Sequence, residues 1–126
     1  MQNKIDVYYD TCPSRQVLEL ISNKWTILII GMLAEKTYRF GELKRGIRGI
    51  SQKVLAQTLR ILERHGLVLR RSYPVLPLKV EYSLTPLGKS LSVVCHELTH
   101  WAETHIEEIN EAQNMHAQVQ ALTQAI

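Results

Sequence analysis

Cysteine is nearly absent from this chain. Cys12 and Cys95 stand 83 positions apart, and neither belongs to a CxxC motif. That spacing excludes a disulfide scaffold and fits a chain that works reduced. Glycine and proline are scarce, at six and four in 126 residues, and no low-complexity tract offers an internal linker. Long apolar runs are missing too. The longest, Trp25–Ala34, is too short to cross a bilayer and contains Thr26. Lys4, Asp6 and Asp10 interrupt anything that could be read as a secretory signal, so the expectation is a cytoplasmic protein without membrane contact. Cations are wholly lacking from residue 90 onward, where five glutamates (97, 103, 107, 108 and 111) leave a balance of −5. Between Lys36 and Lys89 the balance is reversed, with twelve Lys or Arg against three acids, or +9. A basic middle is suited to a polyanion, and an acidic end to protein or water.

What is present has a clear order. Cys12-Pro13 reads as a helix start, with proline where its missing N–H costs nothing. Val17, Leu18 and Ile21 give that helix an apolar side. A second helix is expected from about Asn23 to Ala34, with Trp25, Leu28, Ile29, Met32 and Leu33 facing the core. After an extended link at 37–39, Phe40, Leu43 and Ile47 mark a short third helix closed by Gly49. Ser51 is the expected N-cap of a fourth helix, which Gly66 ends. The period then changes. Leu67–Tyr73 and Lys79–Leu84 read as two strands of a hairpin around Pro74–Pro77. Thr85-Pro86 opens a long helix in which Leu87, Leu91, Val94, Leu98 and Trp101 recur at steps of four and three, the pattern of a packed seam. Residues 113–126, where Val119, Leu122 and Ile126 give only a weak periodicity, predict no fixed element. The expected fold is mainly α with one small β-hairpin, a winged helix-turn-helix, in a single domain over 1–126. Its core would cover about 24–85, and helices at about 12–22 and 86–112 would serve dimerisation. A chain this small gains from a partner that covers apolar surface.

The fourth helix carries the functional signal. Val54, Leu55, Ile61 and Leu62 gather on one side, while Lys53, Gln57, Arg60 and Arg64 form a stripe on the other. A polar stripe with donors and no acid suits the phosphates and base edges of double-stranded DNA. Ser51, Gln52, Lys53, Gln57 and Arg60 are therefore the candidate reading residues. Arg39 is a candidate phosphate contact ahead of the third helix, unless it pairs with Glu42 or Glu63. Arg70, Arg71 and Lys79 place charge near the base of the wing. Cys12 opens a helix, where the positive end of the helix dipole should lower its pKa and favour the thiolate; Arg15 and Lys24 would add to this if close. Cys95 lies on the long helix, where free cysteines are usually core. His96 and His100 are one helical turn apart near Cys95 and His105, but no carboxylate completes a ligand set, and no metal or cofactor is expected. The tyrosines and the two tryptophans fit core and interface better than a ligand cage.

The combination of Cys12-Pro13, Lys24-Trp25-Thr26, Arg39-Phe40-Gly41-Glu42-Leu43, Gly49-Ile50-Ser51-Gln52-Lys53-Val54-Leu55, Leu59, Leu62-Glu63, Gly66-Leu67-Val68 and Val80-Glu81-Tyr82-Ser83-Leu84-Thr85 resembles the HxlR-type winged helix-turn-helix regulators, relatives of the MarR-type transcription factors. The match covers about residues 12–95. The resemblance implies a homodimeric bacterial regulator, usually a repressor, on an inverted-repeat operator. It also implies sensing of small electrophiles or oxidants through the cysteine that opens the first helix, here Cys12. Cys95 is then a candidate resolving partner, in the same or the other subunit. The chain departs from the family at the wing, where Leu76-Pro77-Leu78 replaces a common Pro-Pro pair. Two rival readings remain: a small thiol-redox enzyme using Cys12, and a winged-helix module that binds only protein. The first lacks a second catalytic group or cofactor loop, and the second would not need the basic stripe. An enzyme is not expected.

Overall fold

A computed structural model describes residues 5–125; residues 1–4 and Ile126, part of the expected irregular start and weakly periodic end, lie outside the described residues. Residues 5–11 hold turns and a bend but no helix or strand. The order is α1 (Pro13–Ile21), α2 (Lys24–Glu35), α3 (Phe40–Gly46), α4 (Gln52–Arg64), β1 (Val68–Tyr73), β2 (Lys79–Leu84) and α5 (Pro86–Gln124). The chain divides into two compact units after Cys95, within the span of α5.

The first unit is a winged helix. Its core joins Ile29, Ile30 and Leu33 of α2, Leu43 of α3, Ile47 and Ile50 of the turn, Leu55, Leu59 and Leu62 of α4, then Leu67, Val68, Tyr82 and Cys95. Two glycines make its tight turns possible. Gly49 (φ 89°) lets the chain reverse between α3 and α4, and Gly66 (φ 74°) ends α4 and starts the wing. β1 and β2 pair antiparallel, from Val68 opposite Leu84 to Tyr73 opposite Lys79. The link ahead of α3 is extended as expected, and it is also hydrogen-bonded. Tyr38 N–H donates to the Tyr82 carbonyl (3.0 Å), and Tyr82 N–H donates to the Tyr38 carbonyl (2.8 Å). That bridge fixes the entry to α3 against β2.

Two sequence expectations differ from the structure. The buried face of α2 is Thr26, Ile29, Ile30 and Leu33, whereas Leu28 is exposed and Trp25 and Met32 are only partly buried. Nearly every residue of this helix is apolar, so two overlapping stripes fit the helical period and only packing selects between them. The second difference is at the end of the chain. α5 continues to Gln124, well beyond residue 112. Residues 113–124 hold no glycine or proline and are rich in Ala, Gln and other helix-compatible residues, so local propensity carries the helix where periodicity is weak.

Candidate nucleic-acid interface

α4 is positioned by its ends and by one face. The Ser51 hydroxyl accepts a hydrogen bond from Val54 N–H (3.1 Å), which caps the N-terminus. Leu55, Leu59 and Leu62 are buried against the core, which turns Gln52, Lys53, Gln57, Arg60 and Arg64 outward. All five are exposed, and among the described residues none has its side chain in a hydrogen bond or ion pair. Solvated donors with no internal partner lose little when they turn to a ligand, so this face is ready for an anionic or acceptor-rich surface. Ser51 shares that face but already spends one acceptor on the cap; its hydroxyl proton is still free to donate.

Around this helix the other candidate cations fare differently. Arg39 is exposed, and its guanidinium pairs with neither Glu42 nor Glu63. Instead the Glu42 carboxylate accepts from the Arg39 backbone N–H (2.8 Å) and caps α3. In the wing the register separates Arg70 from Arg71. Arg70 lies opposite Tyr82, on the side that faces the core, and donates to the Ser72 hydroxyl (3.2 Å). Arg71 lies opposite Glu81 on the outer side. Lys79 is not free. Its ammonium is 3.0 Å from a Glu81 carboxylate oxygen and 5.0 Å from the centre of the Tyr73 ring. This ammonium hydrogen bond is the main cause that holds the Glu81 carboxyl below its ordinary range, with Tyr73 and Arg39 adding smaller contributions. Sequence reasoning identifies Lys79 as a cation and misses its clamp, although Lys-x-Glu on one strand puts both groups on one face.

The two cysteines occupy opposite environments. Cys12 Sγ lies 2.9 Å from the Ser14 hydroxyl, and that contact is the largest cause lowering its pKa; burial opposes it, and backbone N–H groups of Ser14, Asp6 and Arg15 add to it. The direction agrees with the sequence expectation, but the leading cause is the Ser14 hydroxyl. Neither the Arg15 nor the Lys24 charge is among the causes. Lys24 lies over the Trp25 ring, 4.6 Å from its centre. Cys12 is 6% exposed and stands outside the core cluster. Cys95 is 1% exposed within that cluster, and burial pushes its thiol up.

The seam residues also divide. Leu91 packs against the core of its own unit, whereas Leu87, Val94, Leu98 and Trp101 are about half exposed, as are Val17 and Leu18 of α1. In the first unit, Val17, Leu20 and Ile21 of α1 and Leu87, Leu91 and Val94 of α5 line an open apolar groove of about 330 Å³, with Leu67 and His65 also in its wall. In the second unit, the Trp101 and His105 rings stack at 4.5 Å, and Ile106, Ile109, Met115, Val119 and Leu122 are exposed. His96 and His100 stack at 6.3 Å, and among the described residues no group of three or more His, Cys, Asp or Glu is placed to hold a metal ion. Among the described residues no single helix is long and apolar enough to cross a membrane.

Comparison with known proteins is consistent with this geometry. The family described as HxlR-like helix-turn-helix matches residues 20–110. A relative from Escherichia coli (strain K12), named uncharacterized HTH-type transcriptional regulator YtfH, is 44% identical over 104 residues, 82% of each chain. The solved structure of ytfH from Salmonella typhimurium superposes with a TM-score of 0.83 at 40% identity, covering 88% of this chain and 99% of that one. The redox regulator HypR in its oxidized form superposes with a TM-score of 0.69 at 35% identity, covering 74% of this chain and 96% of the other.

Proposed function

We propose, from the premise that the chain belongs to the HxlR-like helix-turn-helix family of DNA-binding transcriptional regulators, that it is a homodimeric repressor reading an inverted-repeat operator with α4. The observation that carries this reading is the face of Lys53, Gln57 and Arg60, exposed and without internal partners, on a helix whose other face is locked into the core. Gln suits adenine and Arg suits guanine in the major groove, with Arg39, Arg70 and Arg71 available to phosphates. Lys79 contributes less, because its Glu81 partner must first be given up. Replacing Arg60 with Ala should cost about 1–3 kcal/mol of operator binding and relax specificity at one base pair. Titration of the natively folded variant against operator and single-base variants checks this; unchanged affinity removes Arg60 from the reading face.

The dimer of this proposal forms through α5, helped by α1, because both helices leave apolar residues in water. It brings two copies of α4 to successive major grooves, about one helical turn apart. Residues 24–85 act as the DNA-binding core and the flanking helices as the dimerisation elements, with no catalytic step and no cofactor.

Redox control through Cys12 is the second part of the proposal, supported by its lowered pKa and by the likeness to HypR, itself named a redox regulator. The sign is fixed. A lowered pKa means that thiolate persists at pH values where an ordinary thiol is protonated, so Cys12 alkylates faster than Cys95 at neutral pH. Ser14→Ala should move the midpoint of the Cys12 pH–rate profile upward. Mass mapping of alkylated thiols across a pH series measures both, and a faster Cys95 or an unmoved midpoint contradicts them. Operator release after diamide or quinone should be seen in the wild type and not in Cys12→Ser; equal response in both sinks Cys12 as the sensor and leaves DNA binding intact.

A further inference from the structure

The family match ends at residue 110, whereas α5 runs on to Gln124. Steps of three and four from Leu98 reach Trp101, His105, Glu108, Ala112 and Met115 on one stripe of the second unit, and then Val119 and Leu122. The apolar members of this stripe are half exposed or more. Its middle is polar. From Ala112 to Gln124 no residue is Asp, Glu, Lys or Arg, so that end carries no fixed charge to keep a second copy away. At the middle, His105 Nδ1 donates to the Trp101 carbonyl (2.8 Å) and the two rings stack, which leaves Nε2 for another group. Glu108 is exposed, and among the described residues its carboxylate has no partner.

We propose that residues 98–115 of α5 pair antiparallel with the same residues of a second copy, about a centre between Ile106 and Glu107. This rests on the α5 dimer proposed above and adds its direction and register. In that register Trp101 lies opposite the second copy's Ala112, His105 opposite its Glu108, and Leu98 opposite its Met115. The largest side chain of the stripe meets the smallest, and a basic ring nitrogen meets a carboxylate. The remaining acids fit as well. Glu97, Glu103, Glu107 and Glu111 fall opposite His116, Asn110, Ile106 and Ala102, so no acid faces another. A parallel pairing in register fails on the same residues. It sets Glu108 on Glu108 inside the seam, crowds Trp101 on Trp101, and leaves a gap where Ala112 meets Ala112. The arrangement also selects its partner, because a helix without alanine and glutamate at these two places meets Trp101 with a clash and His105 without a counter-charge.

Introduced thiols read the register directly. Leu98→Cys and Met115→Cys are made in separate full-length chains, each also carrying Cys12→Ser, and coexpressed. A short bismaleimide should join the two chains through the introduced thiols, as mass mapping identifies, whereas either variant alone should give no such product. Crosslinking of either variant with itself overturns the antiparallel register. A mixture that sediments as a dimer and gives no crosslink also overturns it, and places the dimer contact elsewhere. A wild type that sediments as a monomer overturns the α5 dimer itself. Charge reversal gives a second measurement that needs no thiol. His105→Glu sets acid against Glu108 at two symmetric places and should raise the dimer dissociation constant about tenfold or more. Adding Glu108→Lys should restore it. An unchanged constant in His105→Glu, or no rescue in the double variant, overturns the pairing.

Discussion

Leu98→Asp is expected to dissociate the proposed dimer into monomers and to lower operator affinity by about 10²- to 10⁴-fold, the range lost when a second linked contact becomes a separate binding event. Leu98 is 51% exposed and Trp101 56% exposed, on a stretch of α5 that from residue 90 onward carries five glutamates and no Lys or Arg. A carboxylate in the middle of a covered apolar stripe is left unpaired and desolvated, which an interface does not tolerate. Within one chain the same position is half in water, so each monomer keeps its fold. Sedimentation and circular dichroism of the variant separate the two effects. Trp101→Ala provides a milder second case, with a weakened dimer and an intact helix. If Leu98→Asp remains a stable dimer at low concentration, the seam is wrongly assigned.

Gly88→Ala is expected to destabilise the first unit by about 3 kcal/mol or more, a large part of the usual 5–15 kcal/mol of a small domain. Gly88 is buried in the first turn of α5, and a Cβ there would overlap the Leu67 carbonyl oxygen and crowd a Leu84 methyl at 3.1 Å. The obstacle is backbone, so no rotamer change relieves it. Thr85 makes the site still less yielding. Its hydroxyl donates to the Gly66 carbonyl (2.6 Å) and accepts from Gly88 N–H (3.0 Å), while its own N–H donates to the Leu67 carbonyl (3.1 Å). These bonds tie the start of α5 to the turn between α4 and the wing, and a methyl group must break or stretch them. Denaturant unfolding measures the loss. A difference below about 1 kcal/mol would mean that the helix start shifts freely, contrary to this packing.

Elements with a sharp local signal are legible in the amino-acid sequence. Pro13, Ser51, Gly66 and Thr85-Pro86 each mark a helix end by a backbone rule, and the ends fall where those rules put them. The polar stripe of α4 is equally legible, because three leucines fix which face is buried. Legibility fails where two patterns fit equally well, as on the apolar α2, or where propensity acts without periodicity, as in α5 beyond residue 112. Through-space partners are not legible either. The Tyr38–Tyr82 bridge, the Lys79–Glu81 pair and the hydroxyl that tunes Cys12 depend on register and rotamer, although Ser14 lies only two residues from the thiol. The wing cations look like one group in sequence, and strand alternation divides them.

The most direct test is the affinity of the protein for the genomic fragment it enriches, measured over a salt series beside random DNA, with the wild type and a Lys53→Ala, Gln57→Ala, Arg60→Ala triple variant. The wild type should prefer its fragment, and log affinity should fall linearly with log salt. The triple variant, with its core leucines untouched, should keep its fold and lose the preference, binding fragment and random DNA alike. A folded triple variant that still prefers the fragment would contradict α4 as the reading element.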